Sequence, residues 1–110
     1  MHKMSSQMQA CIDACLKCYQ ACLGGAMSHC LEMGGKHVEP GHFRLMMACS
    51  EICRTSAHFM LIGSEHSKHV CKECAEICDQ CGKECERLGG MADCVAACRL
   101  CADSTRQMAA

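Results

Sequence analysis

Residues 11–22 read CIDACLKCYQAC, and residues 74–85 read CAEICDQCGKEC. Both place four cysteines at successive offsets of four, three and four. Each residue of an α-helix advances about 100°, so these offsets gather four thiols within roughly 60° of arc. On a β-strand the same offsets would divide between two faces. Both segments are therefore read as helices that carry one stripe of thiols.

The other cysteine clusters keep this phase. Cys71, Cys74, Cys78, Cys81 and Cys85 fall within roughly 80° of one helical face. Cys94, Cys98 and Cys101 are as tightly grouped, and Cys49 and Cys53 form an i, i+4 pair. The stripes run on past the thiols. The first reads Met4, Met8, Cys11, Cys15, Cys18, Cys22, Ala26, Cys30, Met33. The second reads His42, Met46, Cys49, Cys53, Ser56, Met60, and the last reads Met91, Cys94, Cys98, Cys101, Thr105, Met108. These are heptad-like core positions with sulfur in place of leucine.

Glycine and proline punctuate the chain between the stripes. Gly34-Gly35 and Pro40-Gly41, then Gly63-Ser64, then Gly89-Gly90 separate helices predicted at about 4–33, 41–62, 65–88 and 91–107. Ser64 is the expected N-cap of the third. Gly24-Gly25 lies inside the first helix, where it marks either a bend or a close helix contact. Short connections favour antiparallel neighbours, so the expected fold is all-α: one domain, an up-down-up-down four-helix bundle with a cysteine-lined core. On the third helix Lys72, Glu73, Glu76, Asp79, Lys83, Glu84, Glu86 and Arg87 form the wet face. Ile12, Leu16, Tyr19 and Leu23, with Leu45, Ile52 and Phe59, make a second apolar stripe read as helix–helix seams and an oligomer face.

Composition bounds the chemistry. In 110 residues there are 15 cysteines and 10 methionines, while Leu, Ile, Val and Phe together number 16. So few aliphatic side chains make a thin conventional core. The net charge is −1 with both signs interspersed, which gives no footing for nucleic acid or an anionic membrane. No run approaches the ~20 apolar residues of a membrane span. A secreted disulfide scaffold is disfavoured by the odd cysteine count, the single proline and an N-terminus without an apolar export segment. The expectation is a reduced, cytoplasmic protein, in which clustered cysteines mean metal or redox chemistry.

Thiolates select Cu(I), zinc or iron–sulfur clusters. Six C-x₃-C pairs, 11/15, 18/22, 49/53, 74/78, 81/85 and 94/98, each hold two thiols one turn apart, about 5–6 Å between Cβ atoms. One ion bridging two sulfurs closes such a pair, and Cu(I) accepts that coordination. Zinc asks for a tetrahedron that a single helical face does not supply. Charge agrees, because one monovalent ion per thiolate neutralises the core, whereas each Zn(Cys)₄ site leaves excess negative charge. The spacing also departs from the C-x₂-C-x₂-C-x₃-C-P run of bacterial iron–sulfur proteins. The zinc bundle and the iron–sulfur or thiol redox carrier stand as the alternatives to a Cu(I) store.

The full set of C-x₃-C pairs in phase on four helices resembles the bacterial copper storage proteins over essentially the whole chain. The resemblance implies a bundle, commonly a homotetramer, that holds many Cu(I) ions and is not an enzyme. Its implied ligands are Cys11, Cys15, Cys18, Cys22, Cys30, Cys49, Cys53, Cys71, Cys74, Cys78, Cys81, Cys85, Cys94, Cys98 and Cys101. Its implied partners are copper ions, exchanged with copper chaperones or small thiols. The family loads through one end of the bundle, where His and Met sit. Met4, Met8, Met60 and Met108, with His66 and His69 nearby, mark one end. Met33, His37, His42, Met46 and Met91 mark the other. Convergence of three methionine stripes favours the Met8/Met60 end. His29, His37 and His58 are read as isolated side chains, and no catalytic constellation stands out.

Overall fold

The structure, a computed structural model, describes residues 4–110. Helix α1 is α-helical over Ser6–Gly25, passes through a π-helical turn, Ala26–Cys30, and ends in one α-turn, Leu31–Met33. A 3₁₀ turn, Gly35–Val38, leads into α2, Pro40–Leu61. Helices α3, Ser67–Leu88, and α4, Ala92–Ala109, complete the chain. Each helix packs on its neighbour in sequence, and α4 closes against α1. The result is the expected up-down-up-down bundle, 47 × 22 × 20 Å in extent.

Local chemistry explains the helix ends. The Ser5 hydroxyl accepts the Met8 N–H at 3.1 Å and caps α1. Pro40 opens α2, where a missing N–H costs nothing. Helix α3 begins two residues later than expected. His66, not Ser64, holds the N-cap position and makes no side-chain cap. The Ser64 hydroxyl instead accepts from the His66 N–H at 3.1 Å, and its carbonyl accepts the Ser67 hydroxyl at 2.8 Å. Ser64 thus stabilises a preparatory turn rather than the helix itself. The α3–α4 link needs two successive positive φ angles, 79° at Gly89 and 74° at Gly90, which only glycine adopts cheaply.

Gly24-Gly25 is not a close helix contact. A Cβ added at Gly24 would touch nothing within 4 Å, and one at Gly25 would meet the Met46 and Met91 methyls at an ordinary 3.9 Å. The pair instead directly precedes the π-helical turn.

All fifteen cysteines are buried and none is bridged to another. They form the core with Ile12, Ala26, Ala57, Ala102 and three methionines, Met46, Met60 and Met91. Charge stays outside. Arg99 with Glu86, and Arg106 with Asp79 at 2.8 Å, tie α4 to α3 on the solvent face. The second apolar stripe is graded: Ile12 is buried, Tyr19, Leu23, Leu45, Ile52 and Phe59 are half-buried, and Leu16 is exposed. Met33 leaves its stripe and is 61% exposed, out of the core in which sequence periodicity placed it.

Ile12 is the one large aliphatic side chain fully withdrawn from water, at 2% exposure. It belongs to the thiol-rich core, where removing its side chain leaves a cavity. Ile12→Ala is expected to destabilise the metal-free bundle by about 3 kcal/mol, within the range for large-to-small core substitutions. Urea unfolding followed by circular dichroism checks this.

Candidate metal centre

The stripes bring thiols together mainly across helices. The shortest sulfur–sulfur separations are 3.4 Å for Cys22–Cys94, 3.5 Å for Cys53–Cys78 and 3.6 Å for Cys22–Cys98. Same-helix neighbours are slightly wider, 3.9 Å for Cys18–Cys22 and 3.8 Å for Cys74–Cys78. The one-turn pairs read from sequence are therefore edges of larger groups.

Four groups of four sulfurs emerge, with every member within 4.8 Å of the others. They are Cys18/Cys49/Cys53/Cys78, Cys18/Cys22/Cys49/Cys98, Cys22/Cys81/Cys94/Cys98 and Cys53/Cys74/Cys78/Cys101. The first group shares two sulfurs with the second, Cys18 and Cys49, and two with the fourth, Cys53 and Cys78, while the second shares Cys22 and Cys98 with the third, so the four interlock in a chain. Cys15 joins through Cys101 at 3.7 Å, and Cys85 through Cys94 at 3.7 Å. Across helices a tetrahedron of sulfurs is available after all; a ZnS₄ unit with ~2.3 Å bonds has edges of about 3.8 Å. Shared corners limit such sites, because no more than two of the four groups are disjoint.

The two ends of the core differ. At one end Met60 is fully buried, and the Cys71 thiol donates to its sulfur at 4.0 Å. Met4, Met8 and Met108 pack partly buried around it. At the other end Cys30 lies 3.7 Å from His42 Nε2 and 3.8 Å from Met46 Sδ. The 3₁₀ turn folds His37 into the same place. Its ring meets His29 edge-on at 5.1 Å and His42 at 6.4 Å. His29 and His37 are therefore not isolated, contrary to the sequence reading. Three buried imidazole nitrogens here, His29 Nε2, His37 Nδ1 and His42 Nδ1, have no hydrogen-bond partner. Unmade buried bonds cost about 1–3 kcal/mol each, so a cluster of them makes this end a candidate for a ligand or for water entering from the adjoining groove. A groove of about 1080 Å³ between α1 and α4 reaches this end, lined by Gly24, Gly25, His29, Gly90, Met91 and Cys94. Cys94, 4% exposed, is the least buried of the fifteen thiols.

Crowding keeps many of the thiols protonated. Hydrogen bonding with Cys15, then burial and repulsion from Cys15 and Cys74, pushes Cys11 up to about 12. Cys71 is raised by Cys11 and by burial. Cys22 is raised foremost by its hydrogen bond with Cys18, and Cys53 foremost by that with Cys101. Burial raises Cys30 and lowers His42, which leaves a neutral imidazole beside a neutral thiol.

Every cysteine singled out in the sequence lies in this core. His42 and Met46 join it at one end and Met60 at the other. His66 and His69 lie near each other, rings 6.4 Å apart, exposed on the surface. His58 is exposed and packs on Phe59. Sequence reading placed His37 and His42 at one end but missed that His29 joins them in a cluster. Its signal was the Gly34-Gly35 pair, which lets the chain turn back over the bundle end.

Comparison with known proteins gives the chain its relatives. A sequence description of the copper storage protein family matches residues 4–110. The uncharacterized cysteine-rich protein YhjQ of Bacillus subtilis (strain 168) is 37% identical, over 97% of this chain and 100% of its own length. Among solved structures, the Nmul_A1745 protein of Nitrosospira multiformis is 60% identical with a TM-score of 0.94, covering 96% of this chain and 97% of its own. Cu(I)-bound copper storage protein BsCsp3 is 36% identical with a TM-score of 0.88, covering 96% of this chain and all of its own. The metal-free copper storage protein 3 of Bacillus subtilis is 37% identical with a TM-score of 0.78, over 93% of this chain and 98% of its own. The helical bundle, the phase of its thiols and these matches agree: the chain belongs to the copper storage protein family.

Proposed function

We propose that this protein stores Cu(I), many ions per chain, on the thiolates of Cys11, Cys15, Cys18, Cys22, Cys30, Cys49, Cys53, Cys71, Cys74, Cys78, Cys81, Cys85, Cys94, Cys98 and Cys101. The observation that carries this is the interlocking of four buried four-sulfur groups. A thiolate common to two groups must serve ions in both, which suits bridging between monovalent ions. Two Zn(Cys)₄ sites would use eight of the fifteen thiols, leave two negative charges each, and strand the rest. One Cu(I) per thiolate leaves the core neutral. The protein binds rather than turns over, in the reducing cytoplasm, and exchanges copper with chaperones or small thiols. The homotetramer that the family resemblance implies would cover exposed apolar side chains such as Leu16, Met27, Leu31, Leu61 and Ile62.

Anaerobic titration of the reduced protein with Cu(I) against a competing chelator tests the store. About one ion per thiolate is expected from charge neutrality; saturation at four or fewer would sink the reading. Because the raised thiols are protonated at neutral pH, loading releases protons, and apparent affinity climbs with pH.

The metal-free bundle should show the opposite trend. A thiol whose folded value is raised, such as Cys11 at about 12 against an ordinary 9.0, stabilises the fold fully below the unfolded value. That contribution drains as pH rises from 9.0 towards about 12, because the unfolded chain ionises first. Melting temperatures of the metal-free form should fall over this window, while those of the loaded form hold. Equal alkaline sensitivity of both forms would contradict the linkage.

Copper is taken up at the His42/Met46 end. Support comes from the unpartnered imidazole nitrogens and from the groove that reaches Cys94. Sequence periodicity favours the opposite end, but there thioethers pack over the thiols and a single hydroxyl, Ser56 Oγ one turn from Met60, lacks a partner, against three imidazole nitrogens here. His42→Ala with Met46→Ala should slow loading by about tenfold, equivalent to ~1.4 kcal/mol on the barrier. Met8→Ala with Met60→Ala should leave the rate unchanged. The reverse pattern in stopped-flow loading would return the assignment to the Met8/Met60 end.

A further inference from the structure

Cys30 occupies the core against the rule that places every other thiol of α1. It follows Cys22 by eight residues. A uniform α-helix would carry it about 800° round, some 80° off the direction of Cys22. His29, seven residues after Cys22, would fall only about 20° from that direction and point inward. The structure shows the reverse. Cys30 is fully buried, and His29 sits half-buried at the flank, against His37.

The π-helical turn Ala26–Cys30 makes the difference. Leu31 N–H reaches back five residues to the Ala26 carbonyl. An i→i+5 turn takes in one more residue than an α turn, so the phase beyond it shifts by about 100°. That shift brings Cys30 back over Cys22 and turns His29 away. It also carries Met33 off the stripe, which matches the 61% exposure of that side chain.

Three features of this chain favour the turn. Gly24-Gly25 weakens the regular helix just before it, by about 1 kcal/mol per glycine. The Ser28 hydroxyl donates to the Gly24 carbonyl at 2.6 Å, a back-bond of the kind that competes with regular helix geometry. Cys30 is then met by His42 Nε2 and Met46 Sδ at 3.7 and 3.8 Å. His42, only 3% exposed, keeps Nδ1 unpartnered at the same place.

We propose that the π-helical turn is the positioning element that selects Cys30 over His29 as the inward donor of α1, and that Ser28 is the positioning residue that holds it. This rests on the copper-storage reading. The selection decides what closes the core at this end. With the turn in place, a thiol, an imidazole and a thioether converge from α1 and α2, and His29 stays beside His37. With a uniform helix, His29 would enter the core and the Cys30 thiol would swing out to the side.

The test removes the turn and then restores the phase by a different route. Gly24→Ala, Gly25→Ala and Ser28→Ala together favour a uniform helix, and the added methyls meet no close contact. In the metal-free folded protein, alkylation of Cys30, read by peptide mass mapping against Cys22 and Cys49, should accelerate by about tenfold or more, because burial protection is a local-opening equilibrium. Copper capacity should drop by about one ion, following the loss of one thiolate from the core. Deleting Met27, 48% exposed, in this background shortens the Cys22–Cys30 spacing to seven. A uniform helix then points the cysteine inward, so protection and capacity should return. A purely structural lesion would not be repaired by removing a further residue. Ser28→Thr alone should behave as the parent. Unchanged Cys30 protection in the triple variant, or no recovery on deleting Met27, would overturn the proposal. The alkylation arm uses no metal, so it still reports on the turn if the parent protein proves to bind few copper ions.

Discussion

Everything in this molecule follows from burying thiols in place of hydrocarbon. A thiol packs as a small apolar group while protonated, and as a buried anion once it is not. Much of the core is held in the first state, since burial and neighbouring sulfurs keep Cys11, Cys22, Cys53 and Cys71 above their ordinary values, while hydrogen bonds from neighbouring thiols favour the anion at Cys18, Cys49, Cys74 and Cys94. That core is adequate but thin, since a cysteine buries far less apolar surface than a leucine. Soft cations remove the conflict between burial and ionisation. They replace protons, keep the interior neutral and cross-link four helices, so cargo and core become the same thing.

The bundle turns a one-dimensional pattern into a three-dimensional site by simple phase. Stripes at offsets of four, three and four present sulfur at every turn, and four such stripes facing one axis leave sulfurs 3.4–4.0 Å apart. The interlocked groups have no natural boundary. Cys18 and Cys49 belong to two groups, as do Cys22 and Cys98, and Cys53 and Cys78. A lattice of shared corners favours filling by many small ions over a few well-separated tetrahedral ones. The same logic explains why the alternatives to copper weaken at the level of the whole core, although any single group taken alone would suit zinc.

The fold was legible because the 4-3-4 rhythm admits one secondary structure, and because Gly34-Gly35, Gly63-Ser64 and Gly89-Gly90 cut it into four. The buried thiol stripes were legible for the same reason. Other features were not, and each failure has a physical cause. Ser64 was misplaced as a helix cap because a hydroxyl before a helix caps a preceding turn equally well. Met33 was placed in the core by a uniform 100° step that the π-helical turn interrupts. His29 and His37 looked isolated because eight residues separate them, and only the 3₁₀ turn Gly35–Val38 closes that gap to 5.1 Å between rings. The eight-residue spacing of Cys22 and Cys30 was the one visible sign that α1 could not be regular throughout.

The irregularities gather at one end of the bundle, and that placement follows from the chemistry. The middle of the core needs only repetition, and regular helices supply it. An end must change from sulfur to water within a turn or two. At the Met60 end the change is made mainly by thioethers and methyls, with one positive-φ glycine, Gly63, in the turn and one unpartnered hydroxyl, Ser56 Oγ. At the Cys30 end it is made by imidazoles, which need partners. Bringing His29, His37, His42, Cys30 and Met46 together took a π-helical turn, two positive-φ glycines at Gly34 and Gly35, and a 3₁₀ turn within the span from Ala26 to Val38. Each departs from the cheapest backbone geometry, and the imidazole nitrogens they assemble have no hydrogen-bond partner among the described residues. Irregular backbone and unpartnered imidazoles therefore coincide at this end, as expected where the backbone is arranged to bring polar side chains together rather than only to close the core.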